Sequence, residues 1–244
     1  MAKVKIKKGK KLLTNGRIKS GIINLDPLIQ GGLKQESISL IVGGAGSGKT
    51  IFAMQYLMEG LKRGEPGLYI TFEEKKDKLY RDMLEFNWDF KIYEDKKQFF
   101  VLEYSPEQVK SLIEEGGGTI DQLISKEGIK RVVIDSITSF LLLYQDELAR
   151  KEAGLALFEL MNKLGCTTLL TSQAAYKDGE LQGISLEFEA DNIVLLYHYK
   201  ENGIRERAIE ILKMRGTNHT HKTMRLDFAS NGMVVKPSQI VRMH

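Results

Sequence analysis

The sequence predicts an α/β protein with a mostly parallel, twisted central sheet that is flanked by helices. Short β-rich runs alternate with amphipathic stretches along most of the 244 residues, which is typical of parallel strands joined by helical crossovers. A glycine-rich loop lies between the first strand and the first helix of this series. Four β-rich runs with no helical stretch between them close the chain, which predicts antiparallel strands and a hairpin at the C-terminal end.

The first half of the chain supplies the opening strands and helices. Residues 37–42 predict a buried strand, and residues 49–62 predict a helix because their apolar side chains fall on one helical face and Gly64 follows as a cap. Further strands are predicted at residues 68–72 and 99–103, and further helices at residues 79–86 and 106–126. The triple glycine at residues 116–118 is expected to interrupt the last of these helices.

The second half continues the alternation and then changes to strands alone. Residues 131–135 are apolar up to a final aspartate, which indicates a buried strand, and a helix over residues 147–164 is closed by Gly165. The remaining strands are predicted at residues 167–171, 192–199, 206–214, 222–228 and 233–236. Ser230-Asn231-Gly232 has the turn chemistry of a hairpin between the last two strands.

Composition indicates one globular domain. With 42% hydrophobic and 28% charged residues, the chain has the proportions of an ordinary globular protein, which excludes disorder, collagen and fibrous repeats. No linker rich in Pro or Ser divides the chain, and α/β domains often reach this size as a single unit. We therefore expect a single domain over residues 17–244, preceded by a basic arm over residues 1–16.

The N-terminal region is strongly basic. The whole chain has a net charge of only +4, yet its basic side chains accumulate before the first acidic residue, Asp26. Lysines brought near a nucleic-acid backbone release condensed counterions, so the arm is a candidate contact for nucleic acid. The alternative is a solvated tail that aids solubility. The basic residues are Lys3, Lys5, Lys7, Lys8, Lys10, Lys11, Arg17 and Lys19.

Cysteine content and hydropathy indicate a cytoplasmic protein. Cys166 is the single cysteine, so no disulfide can form within the chain, and its apolar neighbours predict a buried thiol. The N-terminus has lysines without an apolar signal region, and no window approaches about 18 uninterrupted apolar residues. The sequence therefore predicts neither secretion nor a membrane span.

The glycine-rich loop carries the strongest functional motif. Gly43-Gly44-Ala45-Gly46-Ser47-Gly48-Lys49-Thr50 satisfies G-x-x-x-x-G-K-[ST] between a predicted strand and a predicted helix. Glycines are needed because backbone N–H groups must curl around phosphate oxygens, and the helix N-terminus adds its positive dipole end. Lys49 is then expected to reach the β and γ phosphates. The predicted nucleotide-binding residues are Gly44, Ala45, Gly46, Ser47, Gly48, Lys49, Thr50 and Ile51.

Two oxygen ligands for Mg²⁺ are predicted with this P-loop. The Thr50 hydroxyl is the first, and the second is a carboxylate at the end of a neighbouring buried strand. Asp135 ends the strand over residues 131–135 and is therefore the Walker B candidate. The alternative role for Asp135 is an ordinary cap of the following turn.

The residue that orients the attacking water is expected on another strand, because Ser136 stands where many P-loop ATPases place a glutamate. Glu73 and Glu74 follow the strand over residues 68–72, and the carboxyl ends of strands in an open α/β sheet face the ligand crevice. We assign Glu73 as the catalytic base that polarises water and Glu74 as its support. The alternative is that both residues only begin a charged helix.

The motifs favour ATP over GTP. GTPases carry an N-K-x-D string, and the nearest match here, Asn162-Lys163-Leu164-Gly165, lacks the acid that reads guanine. The predicted activity is therefore Mg²⁺-dependent hydrolysis of ATP.

Several segments together resemble the KaiC-like branch of the RecA superfamily of P-loop ATPases. The resemblance covers roughly residues 17–236 in chain order. It implies a RecA-like fold and identifies Glu73 and Glu74 as paired catalytic glutamates. The matching segments are Arg17-Ile18-Lys19-Ser20-Gly21-Ile22, Leu25-Asp26, Gly31-Gly32-Leu33, Gly64-Glu65-Pro66-Gly67, Thr71-Phe72-Glu73-Glu74, Ile134-Asp135-Ser136, Thr168-Leu169-Leu170-Thr171-Ser172 and Leu212-Lys213-Met214-Arg215-Gly216-Thr217.

The resemblance also implies a homo-oligomer, as a hexameric ring, with sites completed by the neighbouring subunit. In KaiC-like proteins the segment that matches Lys213-Met214-Arg215 projects toward the neighbour's ATP. Lys213 and Arg215 would then act in trans, with Arg215 as an arginine finger that stabilises charge on the γ-phosphoryl oxygens. Thr217 and His219 would line the neighbour's nucleotide. The residues by themselves indicate only a solvated strand end and loop.

Gln173 follows the β-rich run over residues 167–172, where RecA-like proteins place a γ-phosphate sensor. The stretch from there to Asp191 corresponds to a loop that faces the central pore and could bind DNA. Residues 174–180 hold one lysine, one tyrosine and two acids, which is little of the basic and aromatic interleaving that a single-strand binder needs. A mobile polar loop is the alternative.

Two departures limit the resemblance. KaiC has two tandem ATPase domains with phosphorylation sites in the second, whereas this chain has length for one, so autokinase activity is not carried over. No F-x-x-A string occurs, which disfavours a strand-exchange filament. The sequence therefore predicts an oligomeric ATPase whose protein partner it does not identify. The alternatives are a DNA-binding, recombinase-like regulator and a KaiC-like autokinase.

Overall fold

The computed structural model of the protein describes residues 16–173, 175–177, 180–182, 186 and 188–242. The predicted basic arm lies outside the described residues, except for Gly16. Several residues of the predicted pore-facing loop lie outside them as well.

The described strands form one large sheet and two small ones. In chain order they are β1 (Arg17–Ile18), β2 (Leu33–Lys34), β3 (Ile38–Gly43), β4 (Gly67–Thr71), β5 (Phe99–Glu103), β6 (Arg131–Asp135), β7 (Thr167–Ser172), β8 (Ala175–Lys177), β9 (Glu180–Gln182), β10 (Asn192–Glu201), β11 (Ile204–Met214), β12 (Met224–Ala229) and β13 (Gly232–Ile240). The large sheet has the order β13-β12-β11-β10-β3-β7-β6-β4-β5, and β1-β2 and β8-β9 are separate pairs. The strands from β10 to β5 run parallel, and β11 to β13 continue the sheet in antiparallel fashion. The predicted fold class is confirmed.

Helices cover both faces of this sheet. They are α1 (Lys49–Lys62), α2 (Lys76–Leu84), α3 (Lys91–Asp95), α4 (Pro106–Glu114), α5 (Gly118–Glu127), α6 (Ile137–Leu141) and α7 (Glu147–Lys163), with a 3₁₀ turn at Asp26–Ile29. One buried core joins α1, α2 and the segment before β3 to the sheet, and a second core joins α4 to α7 to the opposite face. The parallel strands are buried on both sides, which explains their near-continuous apolar sequences.

The second predicted helix needs a correction. It spans Lys76–Leu84 and not residues 79–86, because exposed charged residues form its first turn ahead of the first apolar position. Glu73 and Glu74 precede this helix, and the Thr71 hydroxyl accepts the N–H groups of both glutamates at 3.3 and 3.0 Å. The alternative that they begin the helix is therefore wrong.

The glycine interruption and the hairpin are confirmed. The predicted helix over residues 106–126 is divided into α4 and α5, and Gly116 and Gly117 between them have φ angles of 72° and 82°. Ala229 pairs with Gly232 across a tight turn between β12 and β13. The short helices α3 and α6 have no counterpart in the sequence prediction, because each is only five residues long.

No helix in the described part of the chain is long and apolar enough to cross a membrane.

The parallel strands give the sheet two distinct edges, one where the strands end and one where they begin. At the carboxyl edge the strands β3, β4, β6 and β7 end at Gly43, Thr71, Asp135 and Ser172. At the opposite amino edge the same strands begin, and the antiparallel strand β11 ends there. Loops at the carboxyl edge are where an open α/β sheet binds its ligand.

Candidate active site

The P-loop lies at the carboxyl edge between β3 and α1, as predicted. Gly46 and Gly48 have φ angles of 73° and 101°, which L side chains rarely adopt. Gly48 is the N-cap of α1 and offers no side chain to cap the first N–H groups of the helix. Because α1 has 14 residues, its dipole adds positive potential at the same point. The loop is therefore suited to bind an anion through its backbone.

A cleft of about 420 Å³ opens beside the P-loop. It receives side chains from the loop and from the ends of β7, β6 and β4, which follow β3 in that order across the sheet. The lining residues are Lys49, Thr50, Thr71, Glu73, Glu74, Lys75, Lys78, Asp135 and Gln173. The sequence motifs do not predict Lys75 and Lys78, which are paired with Glu103 and Glu74.

Lys49 folds back over its own loop. Its Nζ atom donates to the carbonyl oxygens of Gly43 and Gly44 at 2.9 and 3.1 Å. Burial lowers the pKa of Lys49, and the negative charges of Asp135 and Glu73 only partly oppose this shift. Burial thus disfavours the charged form of Lys49, and an anionic ligand in the cleft would stabilise that form.

Asp135 is held by three hydroxyl groups. Thr50 Oγ1 and the Tyr69 hydroxyl donate to Asp135 Oδ2 at 2.7 and 2.8 Å, and Thr171 donates to Oδ1. The two predicted Mg²⁺ ligands, Thr50 and Asp135, thus meet at one point. Burial and the nearby Asp135 carboxylate raise the pKa of Tyr69 well above its ordinary value, which keeps the hydroxyl a proton donor. Tyr69 and Thr171 are additions to the site, since their sequence pattern marks them only as strand residues.

The structure distinguishes the two glutamates. Glu74 is paired with Lys78, whose Nζ atom lies 2.7 Å from its carboxylate. Glu73 instead accepts a hydrogen bond from Ser139 on α6, and its charge acts on Lys49. Of the two glutamates, Glu73 is therefore the one whose charge acts on the P-loop lysine, whereas the charge of Glu74 is compensated by Lys78.

Gln173 lies beside these groups, at the end of β7. Its side chain is exposed and lines the cleft. Its backbone N–H donates to Thr138 Oγ1 at 2.9 Å, and Thr138 Oγ1 lies 3.3 Å from Ser172 Oγ. These contacts tie α6 to the end of β7, so they fix the position of the predicted phosphate sensor.

Two side chains from β10 and β11 contact the P-loop, and the sequence motifs predict neither of them. Arg207 on β11 donates from Nε to the carbonyl oxygen of Gly46 at 2.9 Å, and its guanidinium lies 4.4 Å from the ring centre of Phe228. His198 on β10 places Nδ1 3.3 Å from the carbonyl oxygen of Ala45. These side chains support the outer turn of the P-loop. Only the order of strands in the sheet brings them there, since they follow the loop by about 150 residues or more.

The four residues implied to act on a neighbour lie at the amino edge, away from this cleft. Met214 at the end of β11 pairs with Asn192, which pairs with Ser39 near the start of β3. The P-loop begins at the other end of β3, so about 13 Å of strand separates the end of β11 from the start of the P-loop. The residues placed at this edge are Lys213, Arg215, Thr217 and His219.

Arg215 and Lys213 make contacts at this edge. Arg215 Nη1 lies 3.4 Å from Asp191 Oδ1, and the arginine side chain is 62% exposed. Lys213 Nζ donates to the carbonyl oxygen of Phe188 at 3.1 Å. The Arg215 guanidinium is thus presented at the surface.

Thr217 and His219 lie close by. The Thr217 hydroxyl accepts from Arg17 Nη2 at 2.8 Å, and His219 Nδ1 lies 2.8 Å from the carbonyl oxygen of Thr220. None of these contacts reaches the P-loop of the same chain, so the predicted site residues form two separate groups.

The residues at the carboxyl edge fit a nucleotide with Mg²⁺. Gly44 leaves open space where a Cβ atom would stand, and the Ser47 hydroxyl is buried without a hydrogen-bond partner among the described residues. Thr50 and Asp135 supply the oxygen ligands that Mg²⁺ prefers. No cluster of three His, Cys, Asp or Glu side chains in the described part of the chain could hold a metal. The two oxygen ligands from Thr50 and Asp135 suit Mg²⁺, which keeps several waters and binds substrate phosphates.

Comparison with known proteins points to one family. The family model described as "ATPase: KaiC" matches residues 18–240. A UPF0273 protein from Pyrococcus horikoshii is 33% identical over 93% of this chain and 96% of its own length. The circadian clock oscillator protein KaiC of Prochlorococcus marinus is 32% identical over 90% of this chain but only 45% of its own length.

A solved structure agrees with these matches. The crystal structure of a KaiC-like protein from Pyrococcus horikoshii OT3 superimposes with a TM-score of 0.80 at 34% sequence identity, and the match covers 91% of this chain and 99% of that one.

Proposed function

The chain belongs to the KaiC family of ATPase domains, and from this membership we propose that it hydrolyses ATP with Mg²⁺ in a homo-oligomer whose sites are completed by neighbours. The resemblance to KaiC-like P-loop ATPases and the RecA-type fold are confirmed. The observation that carries the proposed hydrolysis is the convergence of Lys49, Thr50, Asp135 and Glu73 on one cleft.

Each of these residues has a role that follows from its position. The P-loop amides and Lys49 would bind the phosphates, and Thr50 and Asp135 would hold Mg²⁺, which would supply positive charge beside the phosphate oxygens. Glu73 accepts the proton of the attacking water, because it lines the cleft with Lys49 and, within the described part of the chain, its charge is not paired with a lysine as that of Glu74 is. Glu74, which forms an ion pair with Lys78, supports Glu73. Gln173 contacts the γ phosphate.

The amino edge supports completion of the site in trans. Arg215 follows the end of β11, which about 13 Å of strand separates from the P-loop of the same chain. Its exposed guanidinium is therefore placed to act on the nucleotide of a different chain. Head-to-tail contact would bring the amino edge of one protomer to the carboxyl edge of the next, and such contacts close into rings. In a hexameric ring Lys213 and Arg215 would then stabilise transition-state charge, and Thr217 and His219 would line the neighbour's nucleotide.

Replacement of Glu73 tests the proposed chemistry. Glu73→Gln is expected to keep ATP affinity and to lower the hydrolysis rate about 10²- to 10⁴-fold, because the water loses its general base. Phosphate release and binding of a fluorescent ATP analogue measure the two quantities. Glu74→Gln is the matched control, and we expect a smaller loss because Lys78 compensates that charge. Wild-type turnover by Glu73→Gln would disprove the assignment.

A mixture of two inactive variants tests the trans site. Glu73→Gln protomers keep an intact Arg215, and Arg215→Ala protomers keep an intact Glu73. Random assembly of equal amounts restores roughly a quarter of the sites, so hydrolysis should reappear on mixing. Activity that stays absent, while the mixture forms the same oligomer as the wild type, would contradict sharing between neighbours.

The same assay separates the two alternative functions. Stimulation of phosphate release by single-stranded DNA that fades with salt would favour a DNA-binding regulator. Appearance of ATP-derived phosphate on the chain, and not in solution, would favour an autokinase. We favour hydrolysis because Glu73 and the predicted metal ligands share one cleft.

A further inference from the structure

Tyr69 is a core residue with one polar end in the active site. The residue is 0% exposed and packs among the apolar side chains of the face that carries α1. Its hydroxyl reaches the carboxyl edge and donates to Asp135 Oδ2 at 2.8 Å. Buried hydroxyl groups require a hydrogen-bond partner, and this one has the carboxylate of the predicted metal site.

We propose that Tyr69 is a positioning residue that orients the Asp135 carboxylate for Mg²⁺, an inference that rests on the proposed function. The Oδ2 atom that Tyr69 holds also accepts a hydrogen bond from Thr50, the other predicted Mg²⁺ ligand, at 2.7 Å. Thr171 holds Oδ1 from β7. Contacts from β4 and β7 thus restrict rotation of the carboxylate about its Cβ–Cγ bond and keep Oδ2 directed toward Thr50.

A fixed carboxylate binds a metal more tightly than a rotating one, because less conformational freedom is lost on binding. Removing a group that orients a metal ligand typically costs about 10- to 100-fold in metal affinity or activity. Tyr69 is suited to this role since its ring is anchored in the core, so the hydroxyl cannot follow the carboxylate if the carboxylate turns.

Tyr69→Phe isolates the hydroxyl, and Tyr56→Phe is a matched control. Tyr56 is also 0% exposed, and its hydroxyl donates to the carbonyl oxygen of Thr167 at 2.8 Å, at the amino edge. Each variant loses one buried hydroxyl and keeps its ring. The readout is the Mg²⁺ concentration that gives half-maximal binding of a fluorescent, non-hydrolysable ATP analogue, measured by anisotropy, with a thermal melt of each variant.

We expect Tyr69→Phe to raise this Mg²⁺ concentration about 10-fold and Tyr56→Phe to change it less than about 2-fold. Thr171→Val should shift it in the same direction and serves as a second variant if Tyr69→Phe does not fold. Wild-type Mg²⁺ dependence in Tyr69→Phe, or equal shifts in both tyrosine variants, would overturn this inference alone. Absence of nucleotide binding by the wild type would overturn the proposed function, and this inference with it.

Discussion

The two edges of the sheet each hold a group of charged side chains, and the two groups differ in how the protein compensates them. At the carboxyl edge Lys49 and Asp135 are half-buried and Glu73 is exposed, all beside an open cleft. At the amino edge Arg131 is 0% exposed and its ion-pair partner is Glu65. The comparison indicates that the charges assigned to the proposed ligand site stay partly open to solvent, whereas a charge that holds the fold together is fully enclosed.

The contacts of Arg131 show why it is structural. Its Nη1 atom donates to the carbonyl oxygens of Lys19 and Tyr56 at 2.8 Å each, and its Nε atom donates to Glu65 at 2.7 Å. The guanidinium also lies 4.6 Å from the ring centre of Tyr56. Gly60 on α1 makes this possible, because a Cβ atom there would come within 2.4 Å of the arginine side chain. Arg131 therefore joins the segment before β3, helix α1 and strand β6.

Removal of Arg131 is expected to have the largest effect and falls on stability alone. Arg131→Met should lower the free energy of unfolding by about 3–5 kcal/mol, because the carbonyl groups of Lys19 and Tyr56 and the half-buried Glu65 carboxylate lose their common partner. Urea denaturation measures the loss. The double variant Arg131→Met, Glu65→Met should recover part of it, since no charge is then left unpaired. A loss below about 1 kcal/mol, or a change in nucleotide affinity per folded molecule, would remove the contrast between the edges.

Replacement of Lys49 should have the opposite pattern. Lys49→Met is expected to weaken ATP binding about 100-fold, because charge-assisted hydrogen bonds to phosphate are lost. The melting temperature should stay the same or rise, since burial lowers the pKa of Lys49 and the charged form is therefore less favourable in the folded chain than in the unfolded chain.

The control for this second prediction lies on the same helix. Lys62→Met changes an exposed lysine at the end of α1 and should alter neither quantity. Nucleotide titration and thermal melts compare the three proteins. A lower melting temperature in Lys49→Met than in Lys62→Met would mean that Lys49 also serves the fold.

The elements that carry the P-loop could be predicted because their signals are local. Helix α1 spans Lys49–Lys62 and strand β6 spans Arg131–Asp135, both with the bounds that the sequence predicts. A glycine at each end marks the helix, and β-branched residues followed by an acid mark the strand. The sequence places the start of α2 three residues too late, because its first turn is charged and Leu79 is its first apolar position.

The contacts between strands could not be predicted in the same way. Tyr69, Thr171 and Arg207 look like ordinary strand residues, and only the order β11-β10-β3-β7-β6-β4 brings them to Asp135 and the P-loop. Arg131 likewise looks like the exposed first residue of a strand, although it is fully buried. Side-chain chemistry identifies candidate ligands, but the network that orients them depends on sheet topology.

The smallest predicted effect concerns Cys166, a second ionisable group at the amino edge that takes no part in the chemistry. The thiol is 2% exposed and donates weakly to the carbonyl oxygens of Ile129 and Leu164 at 3.4 and 3.6 Å. Burial raises its pKa to about 11 from an ordinary value of 9.0. The folded chain therefore retains the thiol proton at a pH where the unfolded chain has lost it.

This difference should make unfolding easier as the pH rises. Stability from the neutral thiol is fully present below pH 9.0 and is lost as the pH approaches about 11. Over that window the free energy of unfolding should fall by about 2 kcal/mol more in the wild type than in Cys166→Ala, which has no thiol to ionise. Urea denaturation at a series of pH values measures both profiles. If the two profiles fall in parallel, the thiol has an ordinary pKa in the folded chain. The amino edge would then enclose Arg131 but would leave Cys166 more accessible to water than the structure indicates.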